Sequence, residues 1–273
     1  MTLKEAIERL AEAGVDSPEY DAREIFSHIG GICRAELTDR SISCDLAAVK
    51  EAVERRSARE PLQYIIGECG FYRETYTVTP DCLIPRADTE LLVDLAVKKI
   101  PEGESLLDLC TGSGCVAIST LNNTRHTRCL AVDISEGALA VARKNAERNG
   151  VADRLTLIRR DLLSEGLPEG SFFAILSNPP YIPAAVYEGL EKEIFHEPKE
   201  AFVGGEHGDI FYRAMTPECL KRLKPGGFIA YEIGYDQGEL LREIGEELCC
   251  EVKILKDLSG NDRVALLTRK QQS

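Results

Sequence analysis

The feature that most constrains the fold is a regular alternation of apolar, strand-like runs and amphipathic helical segments that begins after Pro101. Alternation of this kind predicts a mostly parallel sheet covered by helices on both faces. The expected strands lie near 105–109, 128–133, 154–159, 172–177, 227–233, 251–257 and 262–268, and the expected helices near 114–121, 135–149, 209–223 and 236–247. Only a short turn separates the last two runs, which favours a hairpin and an antiparallel final strand. We therefore predict a seven-stranded α/β domain.

The chain before this alternation has a different pattern. Leu3, Ile7 and Leu10 recur at helical spacing, and charged residues fill the positions between them. After Pro61 the residues become β-branched and aromatic, with glycines as punctuation, which is typical of a hairpin. The predicted units are a helical domain over 1–60, a β-hairpin linker over 61–84 and the α/β domain over 85–273. A helix should open the third unit, with Asp88 or Thr89 as its N-cap.

Charge and apolar patterning restrict the partners. The formal net charge of -13 disfavours nucleic acid as the main partner, because binding it usually requires a basic footprint. Charged residues interrupt every apolar stretch well before the ~18 residues that a membrane span needs, so we expect no membrane partner. The amphipathic N-terminus does not resemble a signal peptide, and a cytoplasmic location is therefore expected. The ten cysteines are scattered without a C-x-x-C pair, which favours free thiols in a reducing compartment and no metal site.

A glycine-containing turn indicates the ligand site. In LLDLCTGSGCVAI, from Leu106 to Ile118, a strand, a turn and a helix follow one another directly, and Gly112 and Gly114 let the backbone approach a ligand. Carboxylates end three successive strands, at Asp108, Asp133 and Asp161, and should converge on one crevice. Asp133 can accept both ribose hydroxyls of an adenosine, although Asp133 and Asp161 are also plausible helix caps. No phosphate-binding Lys-Ser/Thr pattern is present, so S-adenosylmethionine fits best.

The segment SNPPYIP follows the fourth strand and should lie at the mouth of the same crevice. The side-chain oxygen of Asn178 and the carbonyl of Pro179 can accept hydrogen bonds from a planar NH₂ group and orient it for methylation. Pro179 and Pro180 restrict the backbone so that these acceptors stay in place, and Tyr181 adds a flat wall. No strong base is required, because the proton can leave after nitrogen becomes positively charged. These residues leave adenine, guanine, cytosine and glutamine open as targets, and a plain strand-to-loop exit is the structural alternative.

The combination of motifs narrows this choice. Over nearly its whole length the chain resembles the release factor glutamine methyltransferase family, the HemK/PrmC type. The matching segments are PLQYIIGECGFY, LIPRADTELLVD, DLCTGSGCVAIS, AVDIS, SNPPYIP, HEPKEAFVGGEHGDIFYR, YEIGYDQGE and SGNDRVALL. The resemblance implies a Rossmann-like methyltransferase fold and transfer of a methyl group from S-adenosylmethionine to the glutamine of the Gly-Gly-Gln loop of class 1 peptide-chain release factors. S-adenosylhomocysteine is then the product, and no metal takes part.

The resemblance also assigns roles to individual residues. It places the cofactor against Cys110, Thr111, Gly112, Ser113, Gly114 and Asp133, with Leu162 beside the adenine, and it places the glutamine against Asn178, Pro179, Pro180 and Tyr181. The helical N-terminal domain would bind the release factor. Cys110 stands where the family usually has glycine, which narrows the turn, and Ala87-Asp88 replaces the usual Pro-Glu.

Other features remain open at this stage. Arg86 either orients the substrate backbone at the pocket rim or forms a surface salt bridge. Residues 188–209 carry seven carboxylates against two lysines, which suits a basic, RNA-binding protein partner. The alternatives in function are a glutamine methyltransferase for a ribosomal protein, an amino-methyltransferase for adenine or guanine in nucleic acid, and a non-catalytic module that binds S-adenosylmethionine.

Overall fold

A computed structural model describes residues 1–270, so the predicted end of the α/β domain at 271–273 lies outside the described residues. The chain divides into two compact units. The first comprises Met1–Glu68 and a later segment, Glu191–Glu197, and the second comprises Cys69–Leu190 together with the chain from Pro198 onward. The helical unit therefore extends beyond the predicted boundary at residue 60, and it includes a segment that is distant in the sequence.

The first unit is a small helical bundle. Its helices are α1 (Leu3–Glu12), α2 (Pro18–His28), α3 (Ala47–Ser57) and α4 (Leu62–Ile66), with 3₁₀ turns at Glu36–Thr38 and Lys192–His196. A capping box begins α1, because the Thr2 hydroxyl accepts from the Glu5 amide and the Glu5 carboxylate accepts from the Thr2 amide. Apolar side chains from all four helices form one core. Apolar burial of this kind supplies most of the stability of short helices.

Ionic contacts attach the later segment to the first unit. Arg56 donates to Asp21 at 2.7 Å and to Glu193 at 3.1 Å, and Arg59 also pairs with Glu193. Arg56 and Asp21 are both buried, so the two arginines neutralise carboxylates that would otherwise be costly to remove from water. The segment Glu191–Glu197 is thereby held within the helical unit.

The predicted linker differs from the structure in extent. Residues Leu62–Ile66 form α4, and the hairpin is confined to β1 (Glu68–Phe71) and β2 (Glu74–Thr77). Leu62 and Ile65 are buried in the helical core, and that burial overrides the strand preference of an aromatic and β-branched stretch. Gly67 ends α4 with a φ of 82°, a conformation that glycine adopts without strain.

The second unit contains the predicted α/β fold, which is confirmed. Its sheet strands are β3 (Ser105–Leu109), β4 (Arg128–Asp133), β5 (Leu155–Arg159), β6 (Phe172–Ser177), β7 (Leu223–Glu232), β8 (Cys250–Lys256) and β9 (Asp262–Arg269). Its helices are α5 (Glu90–Lys99), α6 (Cys115–Asn123), α7 (Glu136–Arg148), α8 (Leu162–Glu165), α9 (Ala184–Tyr187), α10 (Ile210–Arg222) and α11 (Gly238–Glu247). The order of the seven strands is β5-β4-β3-β6-β7-β9-β8, and β9 pairs antiparallel with both of its neighbours.

The sheet is buried on both faces. Along β3, Leu106 belongs to one apolar cluster and Leu107 to the other, as expected for side chains that alternate across a sheet. The chain order reverses at β3, since β4 lies on one side of it and β6 on the other. Ligands in open α/β sheets bind at such a switch point, outside the carboxyl ends of the strands.

Residues 1–270 contain neither a helix suited to cross a membrane nor a cluster of potential metal ligands. No helix in residues 1–270 is long and apolar enough to cross a bilayer. Within the same range, histidine, cysteine and carboxylate side chains nowhere cluster in threes as metal ligands would. No disulfide bond joins any of the ten cysteines, all of which lie within the described residues.

Candidate active site

The turn after β3 adopts the backbone conformation that its glycines suggest. Gly112 and Gly114 have φ values of 55° and 81°, and Cys110 also lies in the left-handed region, at 57°. A Cβ added to Gly112 would meet no atom of the described chain within 4 Å, whereas one on Gly114 would lie 2.9 Å from Ile118. Gly112 therefore exposes its backbone, and Gly114 lets α6 pack closely.

Asp133, at the end of β4, is fixed by two backbone amides. Its Oδ2 accepts from the Gly112 amide at 2.8 Å, and its Oδ1 accepts from the Ser135 amide at 2.9 Å. Burial raises the pKa of Asp133, although these hydrogen bonds act to lower it. Ser135, and not Asp133, caps α7, because the Ser135 hydroxyl accepts from the Ala138 amide. Each carboxylate oxygen keeps a lone pair for a ligand.

Asp108 is fully enclosed at the end of β3. Only 1% of it is exposed, and its Oδ2 accepts from the Thr111 hydroxyl at 2.5 Å. Burial raises the pKa of Asp108 to about 7. A carboxyl in this state ionises readily if a cation approaches, because an opposite charge favours the ionised form.

A cavity brings together residues that are far apart in the sequence. It has a volume of about 260 Å³, and a recess of about 30 Å³ has several of the same residues in its wall. Among the predicted site residues, the cavity is lined by Cys110, Gly112, Asp133, Asp161, Leu162, Asn178 and Pro180, and the recess by Arg86, Asp108, Cys110, Thr111, Gly112, Ser113 and Asn178. The combined space lies near the lower limit of ~300 Å³ for small-molecule sites.

Asp161 has a structural role in addition to its place on the wall. Its carboxylate caps α8, accepting from the Leu163 amide at 3.0 Å and from the Ser164 hydroxyl at 2.7 Å. These bonds lower its pKa. One of the two interpretations left open by the sequence, the helix cap, is thus observed directly.

The amide of Asn178 is anchored on one side. Its Nδ2 donates to the Thr89 hydroxyl oxygen at 3.2 Å, and the side chain is half-buried in the wall of the cavity. Thr89 occupies the N-cap position of α5, as predicted, but within the described chain its side chain makes no capping bond. Its hydroxyl donates instead to Glu232 Oε2 at 2.5 Å.

A further buried carboxylate, that of Glu232, contacts both Thr89 and Tyr181. Glu232, at the end of β7, is 2% exposed, and its Oε1 accepts from the Tyr181 hydroxyl at 3.2 Å. Burial raises the pKa of Glu232 to about 7, although the Thr89 hydrogen bond and the positive charge of Arg263 act to lower it. The motif segments that contain Thr89, Glu232 and Arg263 were visible in the sequence, but their mutual contacts were not predicted.

Glycines and a glutamine support the backbone of the Asn-Pro-Pro-Tyr segment. A Cβ on Gly204 would lie 2.4 Å from the Pro180 carbonyl oxygen, and one on Gly208 would lie 2.2 Å from the Tyr181 carbonyl oxygen. The Gln237 amide donates to that same Tyr181 oxygen at 3.1 Å. The loop that contains Gly204 and Gly208 therefore packs against the backbone that carries the candidate acceptors.

Three predicted residues have placements that bear on their roles. Pro179 is buried, and neither cavity wall includes Pro179 or Tyr181. The Tyr181 ring is half-buried with its hydroxyl committed to Glu232, so the aromatic wall remains a prediction. Arg86 lines the recess, and its role in orienting a substrate also remains a prediction.

Two protein-family models match the chain. One is described as the PrmC N-terminal domain and matches residues 2–67. The other is described as the methyltransferase small domain and matches residues 87–211. The second match includes the turn after β3, Asp133 and the Asn-Pro-Pro-Tyr segment.

Individual relatives align over almost the full length. A release factor glutamine methyltransferase from Caulobacter vibrioides is 42% identical, and the alignment covers 96% of this chain and 93% of that protein. Another, from Geobacter sulfurreducens, is 39% identical over 93% of this chain and 91% of that protein. The resemblance stated from the sequence motifs is confirmed.

Solved structures agree on the fold. The ribosomal protein L11 methylase from Lactobacillus delbrueckii subsp. bulgaricus superposes with a TM-score of 0.51 at 21% identity, covering 71% of this chain and 84% of that chain. At this identity the likeness shows a shared architecture and nothing about the substrate.

Proposed function

This chain belongs to the release factor glutamine methyltransferase family, and on that premise we propose the full reaction. The chain transfers a methyl group from S-adenosylmethionine to the side-chain amide nitrogen of the glutamine in the Gly-Gly-Gln loop of class 1 release factors. One observation carries the proposal: the Asn178 amide lies in the wall of the same cavity as Asp133 and the exposed backbone of Gly112. A donor and an acceptor of the methyl group would meet there.

The residues present fit the cofactor. The backbone at Gly112 is open, and the hydroxyl of Ser113, in the wall of the recess and 2% exposed, has no hydrogen-bond partner within residues 1–270. A buried polar atom without a partner costs free energy, so a ligand atom would satisfy it. When bound, S-adenosylmethionine supplies an electrophilic methyl group and is converted to S-adenosylhomocysteine.

We assign the cofactor contacts residue by residue. Asp133 would accept hydrogen bonds from the ribose hydroxyls, and buried Leu162 would pack against the adenine. Asp108 would present a carboxylate to the positively charged end of the ligand. The full proposed set is Asp108, Cys110, Thr111, Gly112, Ser113, Gly114, Asp133, Asp161, Leu162 and Asn178.

The chemistry requires that a poor nucleophile be oriented. The lone pair of an amide nitrogen is delocalised, so the reacting NH₂ must be held by acceptors that direct the nitrogen at the methyl carbon. Because the Asn178 Nδ2 is bonded to Thr89, its Oδ1 remains available as one acceptor. The Pro179 carbonyl would be the other, and Pro180 would keep it in place. Arg86 would orient the substrate backbone, and the Tyr181 ring would contact the planar amide.

The release factor would be bound by the first unit. This proposal is supported by the separate family model for residues 2–67 and by the segment Glu191–Glu197, which joins that unit although it lies between Tyr181 and Gly204 in the chain. The exposed carboxylates of residues 188–209 would attract a basic partner; they are Glu188, Glu191, Glu200 and Glu206. Nucleic acid would not be a direct substrate.

A labelling assay tests the proposal. We would incubate the protein with radiolabelled S-adenosylmethionine and, in parallel, a class 1 release factor, purified ribosomal proteins, bare rRNA and DNA. Label is expected in the release factor alone. Label found only in ribosomal proteins or only in nucleic acid would overturn the substrate assignment and support the corresponding alternative.

A further inference from the structure

The amide of Asn178 can lie in its site in two ways that have almost the same shape. If the oxygen faces the cavity, it accepts a hydrogen bond from a substrate NH₂ group. If the nitrogen faces the cavity, two hydrogen-bond donors face each other. The proposed function needs the first orientation only. Some group must therefore distinguish the Asn178 oxygen from its nitrogen before the substrate arrives.

Thr89 is the group in contact with the Asn178 amide. A threonine hydroxyl has one hydrogen to donate and lone pairs with which to accept. Its hydrogen is directed at Glu232 Oε2, 2.5 Å away, so only lone pairs remain for Asn178. The Asn178 nitrogen, 3.2 Å from the same oxygen, is then the atom that must face Thr89.

Glu232 determines the direction of the Thr89 hydrogen bond. An ionised carboxylate can only accept, and both Glu232 oxygens do so, one from Thr89 and one from Tyr181. A side-chain hydrogen bond also fixes the end of β7, because the Tyr212 hydroxyl donates to the backbone carbonyl of Glu232 at 2.8 Å. Glu232 is therefore held by two hydrogen bonds to its carboxylate and one to its backbone carbonyl.

We propose that Glu232 and Thr89 form a hydrogen-bond relay that sets the orientation of the Asn178 amide, so that its oxygen faces the cavity. Both are positioning residues, since they act on the substrate only through Asn178. The proposal rests on the proposed function, because it specifies how the amide of the target glutamine is recognised.

The relay should depend on pH. The groups that face Glu232 are Thr89 at the start of α5, Tyr181 in the Asn-Pro-Pro-Tyr segment and Arg263 on β9, with Asp88 paired to Arg263 at 3.3 Å. Burial raises the pKa of Glu232 to about 7. Below that pH a protonated Glu232 can itself donate to the Thr89 oxygen. The Thr89 hydrogen is then free to bond the Asn178 oxygen, and the preference for one orientation of the Asn178 amide is lost. Activity should rise as pH increases through about 7.

The test compares Thr89→Val, Thr89→Ser and Glu232→Gln in the full chain, with the release factor as substrate and saturating S-adenosylmethionine. We expect kcat/KM to fall at least ~10-fold in Thr89→Val, since the substitution leaves the Asn178 nitrogen without its partner and removes the preference for one amide orientation. Thr89→Ser, which keeps the hydroxyl, should recover most of that loss. The affinity for the cofactor alone should change much less than kcat/KM, although Thr89 also lines the recess, because its hydroxyl is bonded to Glu232 and Asn178.

Thr127→Val is the matched control. Thr127 is also fully buried, and its hydroxyl has no partner in the part of the chain that the structure describes. It precedes β4, at the opposite end of that strand from Asp133 and the cavity. This variant should leave kcat/KM unchanged. A similar loss in Thr127→Val and Thr89→Val would contradict the relay, because it would show a general effect of removing buried hydroxyls.

The pH profile decides the matter independently of how well Thr89→Val folds. At saturating S-adenosylmethionine the positive charge of the ligand should keep Asp108 ionised. The wild-type rise in kcat/KM near neutral pH should therefore be absent in Glu232→Gln, and an unchanged rise in that variant would overturn the relay. Wild-type protein that fails to methylate the release factor would refute the proposed function itself. Active wild-type protein together with an active Thr89→Val variant would refute only the relay.

Discussion

Asp133 and Glu232 lie at strand ends of the α/β unit, and their carboxylates are held by different kinds of donor. Asp133 accepts from the backbone amides of Gly112 and Ser135, which are 21 and 2 residues away in the chain. Glu232 accepts from the side-chain hydroxyls of Thr89 and Tyr181, which are 143 and 51 residues away. Burial raises the pKa of both groups.

This difference determines how each side responds to substitution. Backbone donors survive a change of side chain, so the cofactor side should tolerate variation such as a cysteine at position 110 in place of glycine. Side-chain donors disappear with a single substitution, so the amide side should be easy to disable. Mutations on the two sides should therefore affect different steps, cofactor affinity on one side and turnover on the other.

The largest difference between the effect on kcat and the effect on cofactor affinity is expected for Asn178→Ala on the amide side. The substitution removes an acceptor that is used most strongly as the nitrogen becomes charged, so kcat should fall by at least ~100-fold. Calorimetric titration with S-adenosylmethionine should show a much smaller loss of affinity, because the other proposed cofactor residues remain in place. If affinity fell as much as kcat, the two sides would not be separable.

Asp133→Asn is the opposite case. The amide has nearly the same shape but removes the charge and one acceptor oxygen, so the dissociation constant for S-adenosylmethionine should rise ~10- to 100-fold. The loss should appear in affinity more than in kcat at saturating cofactor, measured by titration and by initial rates. A loss of kcat without a loss of affinity would show that Asp133 acts in the chemical step and not in cofactor binding.

Gly204→Ala tests the backbone support of the amide side. The new methyl group would lie 2.4 Å from the Pro180 carbonyl oxygen, so the backbone must shift, and the free energy of unfolding should fall by about 1–3 kcal/mol with a loss of kcat. Gly189→Ala is the control, because its Cβ would come no closer than 3.6 Å to a neighbour. Denaturant unfolding of both variants makes the comparison, and equal stabilities would count against the contact.

Glu232 should also leave a signature in stability. Its pKa is raised from 4.5 to about 7 in the folded chain, so the folded state binds more protons than the unfolded state between these values, and stability falls as pH rises through that window. Glu232→Gln lacks this slope. The wild-type unfolding free energy minus that of the variant should decrease by about 1–3 kcal/mol from pH 4.5 to 7, and a flat difference would contradict the burial argument. Asp108 is present in both proteins and cancels.

The smallest effect is expected at Cys110. Its φ of 57° lies in the left-handed region, where a side chain costs about 1 kcal/mol and glycine costs little. Cys110→Gly should therefore raise the unfolding free energy by about 0.5–1 kcal/mol, measured in denaturant, with cofactor affinity retained. Lower stability would show that the cysteine side chain contributes packing that outweighs the strain.

The contrast between the carboxylates also explains what the sequence could predict. The turn after β3, Asp133 and the Asn-Pro-Pro-Tyr segment carry local signals, because strand, turn and helix follow one another within each motif. The bonds of Thr89 and Glu232 join distant segments, and no local pattern reports them. Likewise, α4 was missed because its residues have strand-like character, and only burial of Leu62 and Ile65 in the helical core makes them helical.

Mapping the methylated atom is the decisive test of the proposed methyl transfer to glutamine. A class 1 release factor would be treated with the protein and S-adenosylmethionine, digested and analysed by tandem mass spectrometry, with Asn178→Ala as the inactive control. We expect a single methyl group on the side-chain amide nitrogen of the glutamine in the Gly-Gly-Gln loop. A methyl group on any other residue, or an equal yield with Asn178→Ala, would contradict it.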